Sequence, residues 1–227
     1  PPPVFFFNVP ATTEIYTSLF VGRVRCVLET VDALIRVIDM ALVVDSPLVR
    51  IMTPKKEQIL WGSNGAEKWN VANGAWEKLL PLIAPACDLA RDAGITLVVE
   101  TGNGTMVNSN YTGRKMIDDL NAKDVLKILW DPANNCWCHE QAFPDGYEEI
   151  KTGYLGHVHI KDVHVDTPRA TLEIRRIGEG QLANQFKQMA SAMRGDGYEG
   201  VISFESVYHP GTVSYTHLRA HETREDR

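Results

Sequence analysis

Four side chains in this sequence are of the right types to do metal or acid–base chemistry together: Glu100, Asp131, His159 and Glu205. Each closes, or lies late in, a short apolar run of strand type: "ITLVVE", "VLKILWD", "GHVHIKD" and "VISFE". Their successive spacings of 31, 28 and 46 residues each leave room for one strand–helix crossover. Three carboxylates and an imidazole brought to one place would repel strongly unless a cation sat between them, so the set predicts a metal. Oxygen-rich donors with one imidazole suit Mn²⁺, Mg²⁺ or Co²⁺ and remain compatible with Zn²⁺; the lack of thiolate partners argues against a structural zinc. A divalent ion on a carbonyl and its neighbouring hydroxyl would allow a nearby carboxylate to remove the α-proton at neutral pH. Returning the proton to another carbon isomerises the molecule, and returning it to the opposite face epimerises it.

Each residue alone has an ordinary reading. Asp131 before Pro132 could start a turn or cap a helix. His157 has the surroundings of a hydrogen-bonded core histidine. Arg50, at the mouth end of its strand, could bind a phosphate or carboxylate, or make a surface ion pair. "GEG" at Gly178–Gly180 reads as a turn, and Cys136 and Cys138 as packing, since one intervening residue is not the dithiol spacing. Specificity lies in the ordered set of four.

The elements that must position them alternate. "VDALIRVIDMALVV" has apolar residues at helical spacing, and "SPLVRIM" is a short β-rich run. A helix over 73–94 ends at Gly94, with Pro81 and Pro85 as threats to its continuity. "RKMIDDLN" and "GYEEIKTGYL" read as helices flanking the strand "VLKILWD"; a loop over 164–181, a helix over 182–197 and the strand "EGVISFESVY" complete the body. Almost wholly apolar strands alternating with helices are the pattern of a parallel sheet buried on both faces. Polar residues at the carboxyl end of strand after strand favour a (β/α)₈ barrel over an open doubly wound sheet, for which no glycine-rich phosphate turn is found. Within "LGHVHIKDV", alternation places His157, His159 and Lys161 on one face and Val158, Ile160 and Asp162 on the other.

The composition narrows the class. The chain has 227 residues, 44% hydrophobic and 23% charged, with a net charge of -6, which gives no basic footprint for nucleic acid or for a membrane surface. No apolar span approaches the roughly 18 residues of a transmembrane helix, and "VFFF" lacks the flank of a signal peptide, so a cytoplasmic protein is expected. The four cysteines fit reduced thiols better than a disulfide scaffold. A small-molecule partner is expected, and a homo-oligomer is compatible with the sequence.

The ordered motifs "LVVE", "WDPAN", "HVHIKD", "GEG" and "FE" resemble the sugar phosphate isomerase/epimerase family, the xylose-isomerase-like TIM barrels. The resemblance implies an α/β (β/α)₈ TIM barrel of which the fourth to eighth strands are present, about five strand–helix units. It implies one divalent metal held by Glu100, Asp131, His159 and Glu205, and catalysis by Glu100 and Glu205 on opposite faces of the substrate carbon. Asn134 matches a position that contacts substrate or orients the site. Lys161 matches a substrate-side polar position, where epimerases of this group often place an arginine; His157 and Arg50 complete the substrate-binding candidates. The implied activity is isomerisation or epimerisation of a small sugar, sugar phosphate or polyol derivative through an enediolate. An inosose-type dehydratase on the same barrel, an abasic-site nuclease and a catalytically incompetent fragment are the alternatives. Residues 28–212 are read as the partial barrel. Residues 1–27 and 213–227 are set apart as a non-native leader and tail similar to translated sequencing-adapter read-through.

Overall fold

The computed structural model describes residues 22–54, 75–102, 104–169 and 171–205. The tail 213–227, and the leader up to residue 21, lie outside them. Helix α1 (Gly22–Val43) runs without a break across the expected boundary at residue 28. It leads to β1 (Leu48–Ile51), α2 (Ala75–Ala93), β2 (Thr96–Glu100), α3 (Asn110–Asp119) and β3 (Leu126–Trp130). Short helices α4 (Pro132–Trp137) and α5 (Tyr147–Ile150) precede β4 (Leu155–Ile160), a hairpin of β5 (Asp162–Asp166) and β6 (Thr171–Arg175), α6 (Phe186–Gly195) and β7 (Ile202–Phe204).

Five strands form one parallel sheet in the order β1–β2–β3–β4–β7. The order follows the chain, as in a barrel wall and unlike the reversing order of a doubly wound sheet. The sheet is part of a barrel wall. A flat sheet would hold β2 and β7, three strand spacings apart, about 14 Å from each other. Yet the side chains that close these two strands bring ligand atoms within 4.8 Å of one another, which requires the sheet to curl.

The core follows from sequence periodicity. On α2, Trp76, Leu79, Ile83, Cys87 and Ala90 recur every three or four residues and are all buried. Pro81 is exposed and Pro85 half-buried, both off that stripe, and α2 is continuous through them. Gly94, at φ +67°, ends the helix in the left-handed conformation that favours glycine. In β3, Leu126, Ile128, Leu129 and Trp130 have no solvent exposure, as expected for a strand covered on both faces.

Three local expectations need correction. The segment 164–181, read as a loop, contains most of an antiparallel hairpin, with Asp162 paired to Arg175 and Asp166 to Thr171. The helix expected over "GYEEIKTGYL" is a single α-turn at Tyr147–Ile150, entered through a wide turn at Ala142–Gly146; Gly153, at φ +78°, breaks the pattern. The helix expected from Leu182 begins at Phe186, because the amide of Leu182 is tied to the Asp162 carboxylate.

Candidate metal centre

The site is built by strand ends. Glu100 is the last residue of β2, Asp131 follows β3 and N-caps α4, His159 lies near the end of β4, and Glu205 follows β7. The structure brings all four together, each with a ligand atom within 4.8 Å of every other. Glu100, Asp131 and His159 are buried; Glu205 is half-buried. Opposed ligands on a metal held at 2.0–2.2 Å would stand roughly 4 Å apart, so the donor set fits a single divalent ion in chemistry and needs only a small side-chain adjustment to close on one.

Asp131 serves two ends. Its Oδ1 accepts hydrogen bonds from the amides of Ala133 (2.9 Å) and Asn134 (3.1 Å), the cap expected ahead of Pro132. Its Oδ2 points into the site, 2.7 Å from Lys161 Nζ. The helix-capping reading of this residue thus holds for one oxygen, and the other faces the cluster of donors. Asn134 Nδ2 donates to Glu100 Oε1 (3.2 Å) and to the Thr101 carbonyl (2.8 Å), so it orients Glu100.

The site contains its own cations. Arg50 forms an ion pair with Glu100 Oε2, and Lys161 Nζ bridges Asp131 Oδ2 and Glu205 Oε2, the latter at 2.5 Å. Carboxylate repulsion alone therefore no longer demands a metal, because two side chains already offset it. The metal reading rests instead on the convergence of four donors of the right chemistry. His159 Nδ1 lies 3.5 Å from Glu100 Oε1 and 4.0 Å from Glu205 Oε2.

These neighbours split the acids. Burial raises the Asp131 pKa to about 6, with Glu205 and Glu100 adding to the rise against the pull of Lys161. Burial works the same way on Glu100, but His159, Arg50 and Lys161 outweigh it and hold its carboxyl below the ordinary value. Burial disfavours the Lys161 ammonium, yet Asp131 and Glu205 lift its pKa above the ordinary value. His157 is wholly buried one pleat deeper, with its Nε2 hydrogen-bonded to Ser203 Oγ at 2.7 Å and its ring edge-on to His159 at 5.5 Å. Burial first, then His159, lowers its pKa to about 4, against the pull of Glu100, so it is a neutral hydrogen-bonding residue at pH 7.

Sequence reasoning missed Asp162. It is buried, and its carboxylate accepts from the amides of Val163 (2.9 Å), Gly178 (3.0 Å), Gly180 (2.9 Å) and Leu182 (3.1 Å). This clamps the "GEG" turn to the base of the hairpin beside Lys161. Gly180 must be glycine, since a Cβ there would stand 2.2 Å from Asp162 Oδ1. An aspartate following the strand motif, with two glycines ahead of the next helix, was the available signal. Also unforeseen was the polar core behind α4: Asn135 accepts from Trp130 Nε1 (2.9 Å) and donates to Glu140, which accepts from the Asn110 amide (2.9 Å). A cavity of about 300 Å³ lies between the end of α4, the hairpin and the start of α6, lined by residues including Cys136, Glu140, Gln181 and Gln185. None of the four converging residues lines it.

Strand ends curled round a mouth that bears four metal-type donors define a parallel β/α barrel with a candidate metal centre. The chain belongs to the xylose isomerase-like TIM barrel family, whose sequence profile matches residues 25–226. No curated protein sequence matches it. Among solved structures, it is similar to a xylose isomerase-like TIM barrel protein from Mycobacterium smegmatis in complex with magnesium, at 18% identity and a TM-score of 0.63. That match covers 84% of this chain and 64% of the other, so the chain spans less than two thirds of that relative's length. A D-tagatose 3-epimerase-like protein matches at 19% identity and a TM-score of 0.64, over 90% of this chain and 72% of its own. The IolI protein with a bound zinc atom matches at 17% identity and a TM-score of 0.61, over 88% and 69%. Among the described residues, no helix is long and apolar enough to cross a membrane.

Proposed function

We propose that this chain carries the catalytic mouth of a divalent-metal-dependent isomerase or epimerase acting on a small sugar, sugar phosphate or polyol derivative. The observation that carries the reading is the convergence of Glu100, Asp131, His159 and Glu205 within 4.8 Å at the carboxyl ends of successive parallel strands. A divalent ion held there would supply Lewis-acid polarisation of a substrate carbonyl and its neighbouring hydroxyl. The side chains do the rest. Glu100, held ionised by His159 and Arg50 and aimed by Asn134, is suited to take a proton from carbon. Glu205, half-buried across the site, is suited to return one from the other side. Arg50 and Lys161 set two positive charges against the three carboxylates, and a divalent ion added to them would leave the mouth net positive, which favours a substrate with anionic or strongly polar oxygens.

The test is divalent-metal binding by the full chain, followed by product analysis on a panel of ketoses, their phosphates and inososes, with Glu205→Gln alongside. Isomer or epimer formation that depends on metal and falls by three orders of magnitude or more in Glu205→Gln is the expected result. Water loss from an inosose would redirect the reading to the dehydratase. Absence of metal binding would end it.

A further inference from the structure

Lys161 reaches deeper into the site than a substrate-side residue needs to. It is 7% exposed, and its ammonium sits 2.7 Å from Asp131 Oδ2 and 2.5 Å from Glu205 Oε2. The other Asp131 oxygen is committed to the amides of Ala133 and Asn134, so Oδ2 is the one oxygen of that residue aimed at the site. The oxygen that Asp131 would offer to a metal is therefore the one that Lys161 already holds. An ammonium and a dication sharing both of these oxygens would stand a few ångströms apart in a buried site, where like charges repel far more than in water.

We propose that Lys161 is an internal counter-cation that occupies the Asp131–Glu205 oxygen pair and must vacate it before a divalent ion can bind there. The inference rests on the metal reading above and adds an exchange step to it. The backbone is in place for such an exchange. Asp162, the next residue, is fixed by four amide donors, and Ile160, the residue before, ends β4. Movement is thereby confined to the four-carbon stem of the lysine, whose ammonium swings off the carboxylate pair while the chain stays put. Two properties follow. The protein keeps its three acids compensated without metal, and its affinity for metal is set by competition with its own side chain. A residue that merely orients the ligands would have the opposite signature, since its loss would weaken binding.

The experiment is calorimetric titration of the full 227-residue chain, stripped with chelator, with Mn²⁺. Wild type, Lys161→Met and Lys161→Gln are compared. Both variants are expected to bind Mn²⁺ at least tenfold more tightly than wild type. Equal or weaker binding in both overturns the exchange while leaving the metal reading intact, provided wild type binds. Binding by the variants alone would be its strongest support, and no binding by any of the three would remove both readings. A second measurement needs no variant. Trace acetylation of wild type, read by mass spectrometry, should label Lys161 at least threefold faster with saturating Mg²⁺ than without. An unchanged rate counts against the exchange.

Discussion

Strands β3 and β7 have similar sequences and very different surroundings. "KILWD" and "ISFE" are both short apolar runs that deliver an acid to the same mouth. In β3 the apolar residues are wholly buried, whereas Ile202 is 44% and Phe204 75% exposed in β7. The difference is one of neighbours. β3 is paired on both edges, while β7 pairs with β4 alone among the described residues. The site therefore joins a half paired on both edges, Glu100, Asp131 and His159 on interior strands, to a less supported half, Glu205 on a strand that is an edge among the described residues. A strand's burial comes from what lies beside it, and its hydrophobic pattern only permits that burial.

The sharpest way to break this comparison is to truncate both strands. Ile128→Ala should cost about 2–5 kcal/mol in urea unfolding, the range for large-to-small changes in a closed core. Phe204→Ala should cost less than about 1 kcal/mol, because most of the side chain is already in water. Equal costs would mean that the β7 face is covered by something the described residues do not show.

The two acids offer a second test. Asp131→Ala removes a helix cap and one partner of a buried ammonium, and should destabilise by about 2 kcal/mol. Glu205→Gln, which removes the charge but leaves an amide oxygen beside the buried Lys161, should cost about 1 kcal/mol while abolishing most of the divalent-ion stabilisation seen as a rise in Tm. A large stability loss in Glu205→Gln would put the edge strand on a par with the interior.

Gly180→Ala should cost about 1–3 kcal/mol by pushing the turn off Asp162, since overpacking of a filled site costs about that much. Faster hydrogen exchange at the amides of Gly178 and Leu182 is the accompanying sign.

The smallest effect concerns thiols. Burial pushes Cys87 and Cys136 up to about 11, so the thiolate is scarce at neutral pH and grows tenfold with each pH unit until about pH 11. Iodoacetamide labelling of the native protein should be slow at pH 8 at both positions and accelerate as the pH rises; rapid labelling at pH 8 would show that α2 or α4 opens locally.

Much of this was legible in the sequence because it depends on short-range pattern. The stripe on α2, the apolar β2 and β3, and an acid closing three strands are local facts about spacing, and they suffice for a parallel barrel and for naming Glu100, Asp131, His159 and Glu205. The hairpin at β5–β6 was not legible, because it is held at its base by the clamp on Asp162, which draws amides from up to 20 residues away. Nor was the compensation of the acids. Arg50 is 50 residues from Glu100 in the chain and Lys161 is 44 from Glu205, so only the curl of the sheet shows that these cations sit inside the cluster. The sequence by itself determined which groups could meet at the mouth, since strand ends and alternation are properties of the chain. The tertiary structure alone decided how their charges are shared, because that depends on distances of a few ångströms across five strands.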